Sequence, residues 1–143
     1  MITRLVLHHA AGPENQTPEQ IARFHVEQRD WPGIAYHYLI APDGTAYKCW
    51  PTTTVTWCVA NGNSSSLCVC LIGNRSLLSC PPAQWEAAVE LFRDLLVALP
   101  DRAVFGHREV PTTPPQNTQC PGTLIDLMAF RRDVRTPREE VPA

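Results

Sequence analysis

The sequence predicts an α/β domain in which a central mixed β-sheet is flanked by helices on both faces. Three observations predict it. Short apolar runs of strand length alternate with stretches of helical period. Leu67-Cys68-Val69-Cys70-Leu71-Ile72 is apolar on both faces, as a strand covered on two sides is. Pro42-Asp43-Gly44, between two strand-like runs, marks a hairpin and makes the sheet mixed.

Each element has its own signal. Residues 4–8 read as a strand, with Leu5 and Leu7 on one face and Val6 and His8 on the other. That alternation also separates His8 from His9, so only one of the pair points into a given site. Ala10-Ala11-Gly12-Pro13 ends the strand. Thr17-Pro18-Glu19-Gln20 starts a helix: Thr17 caps, Pro18 takes the first helical position and Gln20 completes a capping box. Ile21, Phe24 and Gln28 mark its turns, it ends near Arg29, and Trp31-Pro32-Gly33 breaks it; His25 reads as a satisfied core or capping histidine. Residues 35–40 form the next strand, and Thr45 to Cys49 returns antiparallel. Residues 52–59 are extended but irregular, and Asn61 to Ser66 is a polar loop. After the central strand and Gly73-Asn74, Pro81-Pro82-Ala83-Gln84 opens a long helix to about Leu99. Its stripe is Trp85, Ala88, Val89, Phe92, Leu95, Leu96 and Leu99. A short strand, Ala103 to Phe105, delivers His107 from its end. A last helix spans Thr123 to Arg132, with Leu124, Leu127, Met128 and Phe130 available for packing. From Asp133 the chain is charged and proline-bearing, so the domain is expected over 1–132 and a flexible tail over 133–143.

At 143 residues this is one domain with a core of its own. A hydrophobic fraction of 44% and a charged fraction of 18% are those of an ordinary soluble protein. A net charge of -2 gives no electrostatic footprint for nucleic acid or an anionic membrane. No apolar run approaches the ~20 residues of a spanning helix. Met1-Ile2-Thr3-Arg4 enters a strand directly, with no h-region or cleavage site, so no signal peptide is read and cytoplasmic residence before release is expected. The cysteines at 49, 58, 68, 70, 80 and 120 are then expected as reduced thiols. Cys68 and Cys70 read as small apolar core residues. A bond between Cys49 and Cys58, which flank a short connection, is the alternative.

The chemistry concentrates in one stretch. Phe105-Gly106-His107-Arg108-Glu109-Val110 leads through a loop stiffened by Pro111, Pro114 and Pro115 to Cys120-Pro121-Gly122. An imidazole and a thiolate held this way suit zinc, a third donor is needed, and Leu5-Val6-Leu7-His8-His9 is the best source. Three protein ligands with an open position distinguish a catalytic zinc from a structural one. Two readings compete: ordinary core residues, and a nucleophilic pair with Cys120 attacking and His107 as base. The pair leaves a third ligand unexplained and sets the thiol before a rigid turn rather than at a helix start.

Taken together, Leu7-His8-His9-Ala10, Ala35-Tyr36-His37-Tyr38, Asn63 to Gly73, and Gly106-His107-Arg108-Glu109 with Cys120-Pro121-Gly122 resemble the type-2 N-acetylmuramoyl-L-alanine amidases, in that family's order. That group includes amidase-type phage lysozymes and peptidoglycan recognition proteins, and the resemblance covers residues 4 to about 130. It implies a zinc amidase that cuts bacterial peptidoglycan between the lactyl group of N-acetylmuramic acid and L-alanine, acting as a monomeric endolysin; a non-catalytic peptidoglycan-binding module is the alternative. It implies His8, His107 and Cys120 as zinc ligands, Tyr36 and Thr118 as catalytic residues, and Trp57, Cys58 and Asn63 as substrate contacts. The chain departs from the family at several points. Thr118 stands where some phage members carry a lysine, as in the recognition-protein branch. Cys58 stands where many have a histidine, Trp50 replaces a common arginine, and the loop from His107 to Cys120 is longer than in the phage enzymes.

Overall fold

Period-two burial builds the sheet. The computed structural model describes residues 1–136. Its strands are β1 (Arg4–His9), β2 (Tyr38–Ile40), β3 (Ala46–Lys48), β4 (Ser66–Leu71) and β5 (Ala103–Gly106). They lie in the order β3-β2-β4-β1-β5, and only the β2–β3 hairpin is antiparallel. Leu5 and Leu7 of β1 join Leu67, Val69 and Leu71 of β4 in the larger core, whereas Val6, Cys68 and Cys70 look to the other face. β4 is buried along its whole length, as its two-sided apolar run requires.

Helices cover both faces. On the larger core lie α2 (Pro82–Ala98) and α3 (Leu127–Arg135); on the other face lies α1 (Pro18–Arg29). α1 starts as its sequence dictates, with Thr17 Oγ1 accepting the Gln20 N–H and Gln20 Oε1 accepting the Thr17 N–H. Its buried stripe is Ile21 and His25; Phe24, which also marks a turn, is 46% exposed beneath the Arg29 guanidinium. The i+4 position, not i+3, points at the sheet here, because His25 is drawn in by the Ala35 N–H that its Nδ1 accepts at 3.0 Å. His25 is thus a satisfied core histidine, as expected.

The stripe of α2 packs as its period predicts, with Trp85 and Phe92 both set edge-on against Phe130 of α3. Gln84, unremarkable in sequence, is fully buried: its amide nitrogen donates to Ile40 O and Ile72 O while its oxygen accepts from Arg75 Nε. Arg75 is itself fully buried, paired with Glu14 at 2.8 Å and bonded to Ile72 O, Leu78 O and Ser79 O. α3 starts later than the apolar pattern suggests. Its cap is Asp126, whose Oδ1 accepts the Ala129 N–H, because Leu124 N and Ile125 N are engaged by Arg75 O and Gly122 O. Leu124 and Met128 are exposed, and Val134 is buried instead. The helix runs on to Arg135 because Trp85 Nε1 donates to Asp133 Oδ2 and Arg93 binds the carbonyls of Asp133 and Thr136. The expected tail therefore does not begin at Asp133, and its remainder lies outside the described residues.

The cysteines correct a second expectation. Cys58 and Cys68 form a disulfide with a Cα–Cα separation of 6.5 Å, while Cys49, Cys70, Cys80 and Cys120 are free. The segment before the polar loop crosses the face of β4 that carries Cys68 and packs Cys58 and Val59 against Val6 and Val110. Sequence alternation correctly buries Cys68 but is silent about which loop residue lies over it.

Two outcomes follow from these contacts. Closing a loop of sequence separation 10 by the disulfide stabilises by about 3 kcal/mol on the chain-entropy account; Cys58→Ala is expected to lose that amount in urea unfolding under non-reducing conditions. For His25, burial and then Arg29 lower the pKa from 6.5 to about 4. Between those values the unfolded chain holds a proton that the folded chain does not. Stability is therefore full above about pH 6.5 and falls toward pH 4, by up to about 1.4 kcal/mol per pH unit from this group. Urea midpoints at pH 7 and pH 5 check the fall, and His25→Gln is expected to make it shallower.

Candidate metal centre

Three segments converge at the carboxyl ends of the parallel strands, where α/β sheets place their sites. β1 carries His8 on the Val6 face, opposite Cys70 in register and 1% exposed. β5 ends at Gly106, and His107 opens a single 3-10 turn, His107–Glu109. The turn is held by Glu109, whose carboxylate accepts the Gly106 N–H at 2.9 Å and pairs with Arg131 at 2.7 Å. Cys120 is brought back by a main-chain bond from Arg108 N to Cys120 O at 2.9 Å. The Arg108 guanidinium adds bonds to Gln119 O and Gly122 O, each at 3.1 Å. The Thr113-Pro114 and Cys120-Pro121 peptides are cis. Gly122, at φ +112°, passes so close to the Arg75 backbone that a side chain has no room there.

The ligand atoms of His8, His107 and Cys120 all lie within 4.8 Å of one another. His8 Nδ1 is 3.5 Å from Cys120 Sγ, and the two imidazole rings are 4.7 Å apart. His9, on the opposite side of the strand, serves the site through its backbone: its N–H donates to Cys120 Sγ at 3.4 Å. Its ring accepts the Arg75 N–H at 3.0 Å. His8, Cys58 and Cys68 also cluster within 4.8 Å, but those two sulfurs are bonded to each other and offer no thiolate.

Burial sets the protonation of the donors. It lowers the His8 pKa well below its ordinary value, with His107, His9 and His37 adding to the effect. It also lowers that of His107, against a raising contribution from Gln116. Burial pushes the Cys120 thiol up to about 12, although the His9 N–H and Arg108 pull the other way. At neutral pH both imidazoles keep their lone pairs, and Cys120 keeps its proton until a cation displaces it. A nucleophilic cysteine needs the opposite, a depressed pKa, and the imidazole in hydrogen-bonding contact with Cys120 Sγ is that of His8. This argues against the nucleophilic pair.

A cleft of about 230 Å³ surrounds the donors and includes Tyr36, Trp57, Cys58 and Thr118 in its walls. A groove of about 530 Å³ shares Trp57, His107 and Thr118 with it and extends to Asn63 and Gln116. The Tyr36 ring lies 5.1 Å from that of His8. Burial, then Cys70 and Cys120, raise the Tyr36 pKa well above its ordinary value, so the phenol stays a neutral O–H donor. Thr118 Oγ1 accepts the Cys120 N–H at 3.1 Å, which leaves its own proton to donate elsewhere. Asn63 Oδ1 accepts the Val59 N–H at 2.8 Å and so shapes the loop that carries Trp57 and Cys58. Cys58 lines the cleft, but its sulfur is committed to Cys68 and has no proton to give or take. Trp50 acts from behind: its Nε1 donates to Ile34 O at 2.8 Å and its ring meets Trp57 edge-on at 6.0 Å. Sequence reasoning missed Trp31, which also lines the cleft, and Gln116, whose Oε1 lies 2.9 Å from His107 Nε2. Neither carries a periodic signal.

This sheet, with its donors at the strand ends, defines an α/β domain of the amidase and peptidoglycan-recognition type. The family profile described as N-acetylmuramoyl-L-alanine amidase matches residues 1–123, and the chain belongs to that family. Peptidoglycan-recognition protein SC2 of Drosophila melanogaster is 29% identical over 130 residues, which is 84% of this chain and 68% of that protein. Among solved structures, the Ph2119 endolysin from Thermus scotoductus MAT2119 bacteriophage Ph2119 aligns with a TM-score of 0.81 at 34% identity, covering 93% of this chain and 84% of the endolysin. The N-acetylmuramoyl-L-alanine amidase LysC from Clostridium intestinale URNW aligns with a TM-score of 0.83 at 26% identity, covering 95% and 87%.

Proposed function

We propose that this chain is a zinc-dependent amidase of the endolysin kind. It hydrolyses the amide between the lactyl group of N-acetylmuramic acid and the L-alanine of the peptidoglycan stem, and works as a monomer. Its family and its likeness to the Ph2119 endolysin support the reading. The observation that carries it is the state of His8. The other buried histidines have hydrogen-bonding work: His25 accepts from Ala35 N, His9 accepts from Arg75 N, and His37 bonds both Cys68 N and Thr54 O. His8 is as deeply buried, yet its Nε2 has no partner among the described residues and its Nδ1 faces only the sulfur of Cys120. A histidine kept this bare beside a thiol and a second imidazole is placed to bind a cation rather than to hold the fold. Two neutral imidazoles and one thiolate form a donor set that suits zinc.

His8, His107 and Cys120 would hold the ion. When bound, zinc supplies Lewis acidity, making water a nucleophile at neutral pH and polarising the scissile carbonyl. The remaining groups act on the substrate. The Tyr36 phenol donates to the oxygen on which negative charge develops, a contribution on the order of 10²–10³ in rate for one such donor. The Thr118 hydroxyl supplies a further donor but no positive charge. Trp57, braced by Trp50, forms an apolar wall, and the groove toward Asn63 receives the stem peptide and limits its freedom before reaction.

The test is digestion of purified cell walls: zinc-loaded protein is expected to reduce turbidity and expose new L-alanine amino termini. Retained binding with no new termini would leave a binding module instead. Cys120→Ser is expected to lose stoichiometric zinc, measured by metal analysis after dialysis; full zinc content in that variant would remove Cys120 from the ligand set. Tyr36→Phe is expected to keep its zinc and lose turnover by ~10²-fold; unchanged turnover would make Tyr36 structural.

A further inference from the structure

We infer that Gln116 is a positioning residue that fixes the tautomer of His107 and so decides which of its nitrogens is offered to the metal. The inference rests on the reading of His107 as a ligand and goes beyond it to a residue in the proline-rich loop. The argument starts from atoms of fixed polarity. Pro114 O and Ala60 O are carbonyl oxygens and only accept. Thr112 Oγ1 lies 2.8 Å from Pro114 O, so its single proton is spent there, and toward any other neighbour it accepts. That neighbour is Gln116 Nε2, at 2.7 Å. The second proton on Gln116 Nε2 goes to Ala60 O at 2.8 Å.

With its amide nitrogen so engaged, Gln116 presents Oε1 to His107 Nε2 at 2.9 Å. The reversed amide would set its oxygen against the Ala60 carbonyl oxygen at 2.8 Å, two acceptors with no proton between them. An amide oxygen only accepts, so His107 must carry its proton on Nε2. The lone pair is then on Nδ1, the same ring atom that His8 turns toward Cys120. Second partners of this kind fix the orientation and tautomer of a metal-binding imidazole, and their loss typically costs ten- to a hundredfold in metal affinity. The same amide ties the loop after His107 to the loop after Trp57, so the two sides of the groove are held together at the ligand.

The experiment has two readouts, neither of them turnover. In zinc-free protein, long-range ¹H–¹⁵N correlation spectra of the histidines are expected to show His107 protonated at Nε2. By competition with a chromophoric chelator, Gln116→Ala is expected to bind zinc ten- to a hundredfold more weakly than wild type. Gln116 is only partly buried in a surface loop, and thermal melting of zinc-free Gln116→Ala is expected to match wild type. A His107 protonated at Nδ1 overturns the inference, as does equal zinc affinity in wild type and Gln116→Ala. A folded wild-type protein that takes up no zinc overturns the ligand reading itself, and this one with it; the first two results leave that reading standing.

Discussion

The register of β1 is the constraint on which the site depends. The strand is hydrogen-bonded on both sides, to β4 through its full length and to β5 from Arg4 to Leu7. Its side chains alternate between a helix-covered core and the site face, so a slip by one residue would send His8 into the core with Leu5 and Leu7. The apolar positions therefore specify where the histidine points. Because β5 is parallel to β1 and ends beside Leu7, the chain leaves the sheet at the level of His8, and His107 arrives there as a matter of topology.

The histidines show how one residue type is sorted by its surroundings. Those at 9, 25 and 37 each have a ring nitrogen used as an acceptor for a backbone N–H, and each of these bonds fastens a loop or strand end. His8 has no such duty. The polar centre around Arg75 and Gln84 has a related logic. A fully buried guanidinium is tolerated because five acceptors surround it, and it gathers the carbonyls of the connection leading to α2.

Much of this was legible in the sequence. The capping box at Thr17, the turn at Pro42-Asp43-Gly44, the doubly apolar β4 and the stripe of α2 are local or periodic signals, and each marks the element it predicts. The donors were legible through motif order rather than through their own chemistry, since lone histidines and a cysteine do not announce themselves. What stayed hidden was decided by tertiary contact. The Cys58–Cys68 bond depends on a loop crossing β4, and the partner that satisfies His25 is an N–H across the helix end. The late start of α3 depends on where Arg75 presents its carbonyl. Gln116 escaped because its role needs four other atoms in known positions, and no spacing rule encodes such a chain.

The main-chain clasp between Arg108 and Cys120 has an evolutionary corollary. With the two ends of the proline-rich segment joined at their bases, residues inserted or removed between them change the size of the hoop without changing its neck. The positions of His107 and Cys120 are thereby freed from the length of the hoop, except through the bonds that Gln116 and Thr118 make to them. A lineage can lengthen this hoop away from Gln116 and Thr118, and so reshape the rim of the groove, while the cluster of donors beneath it is inherited intact.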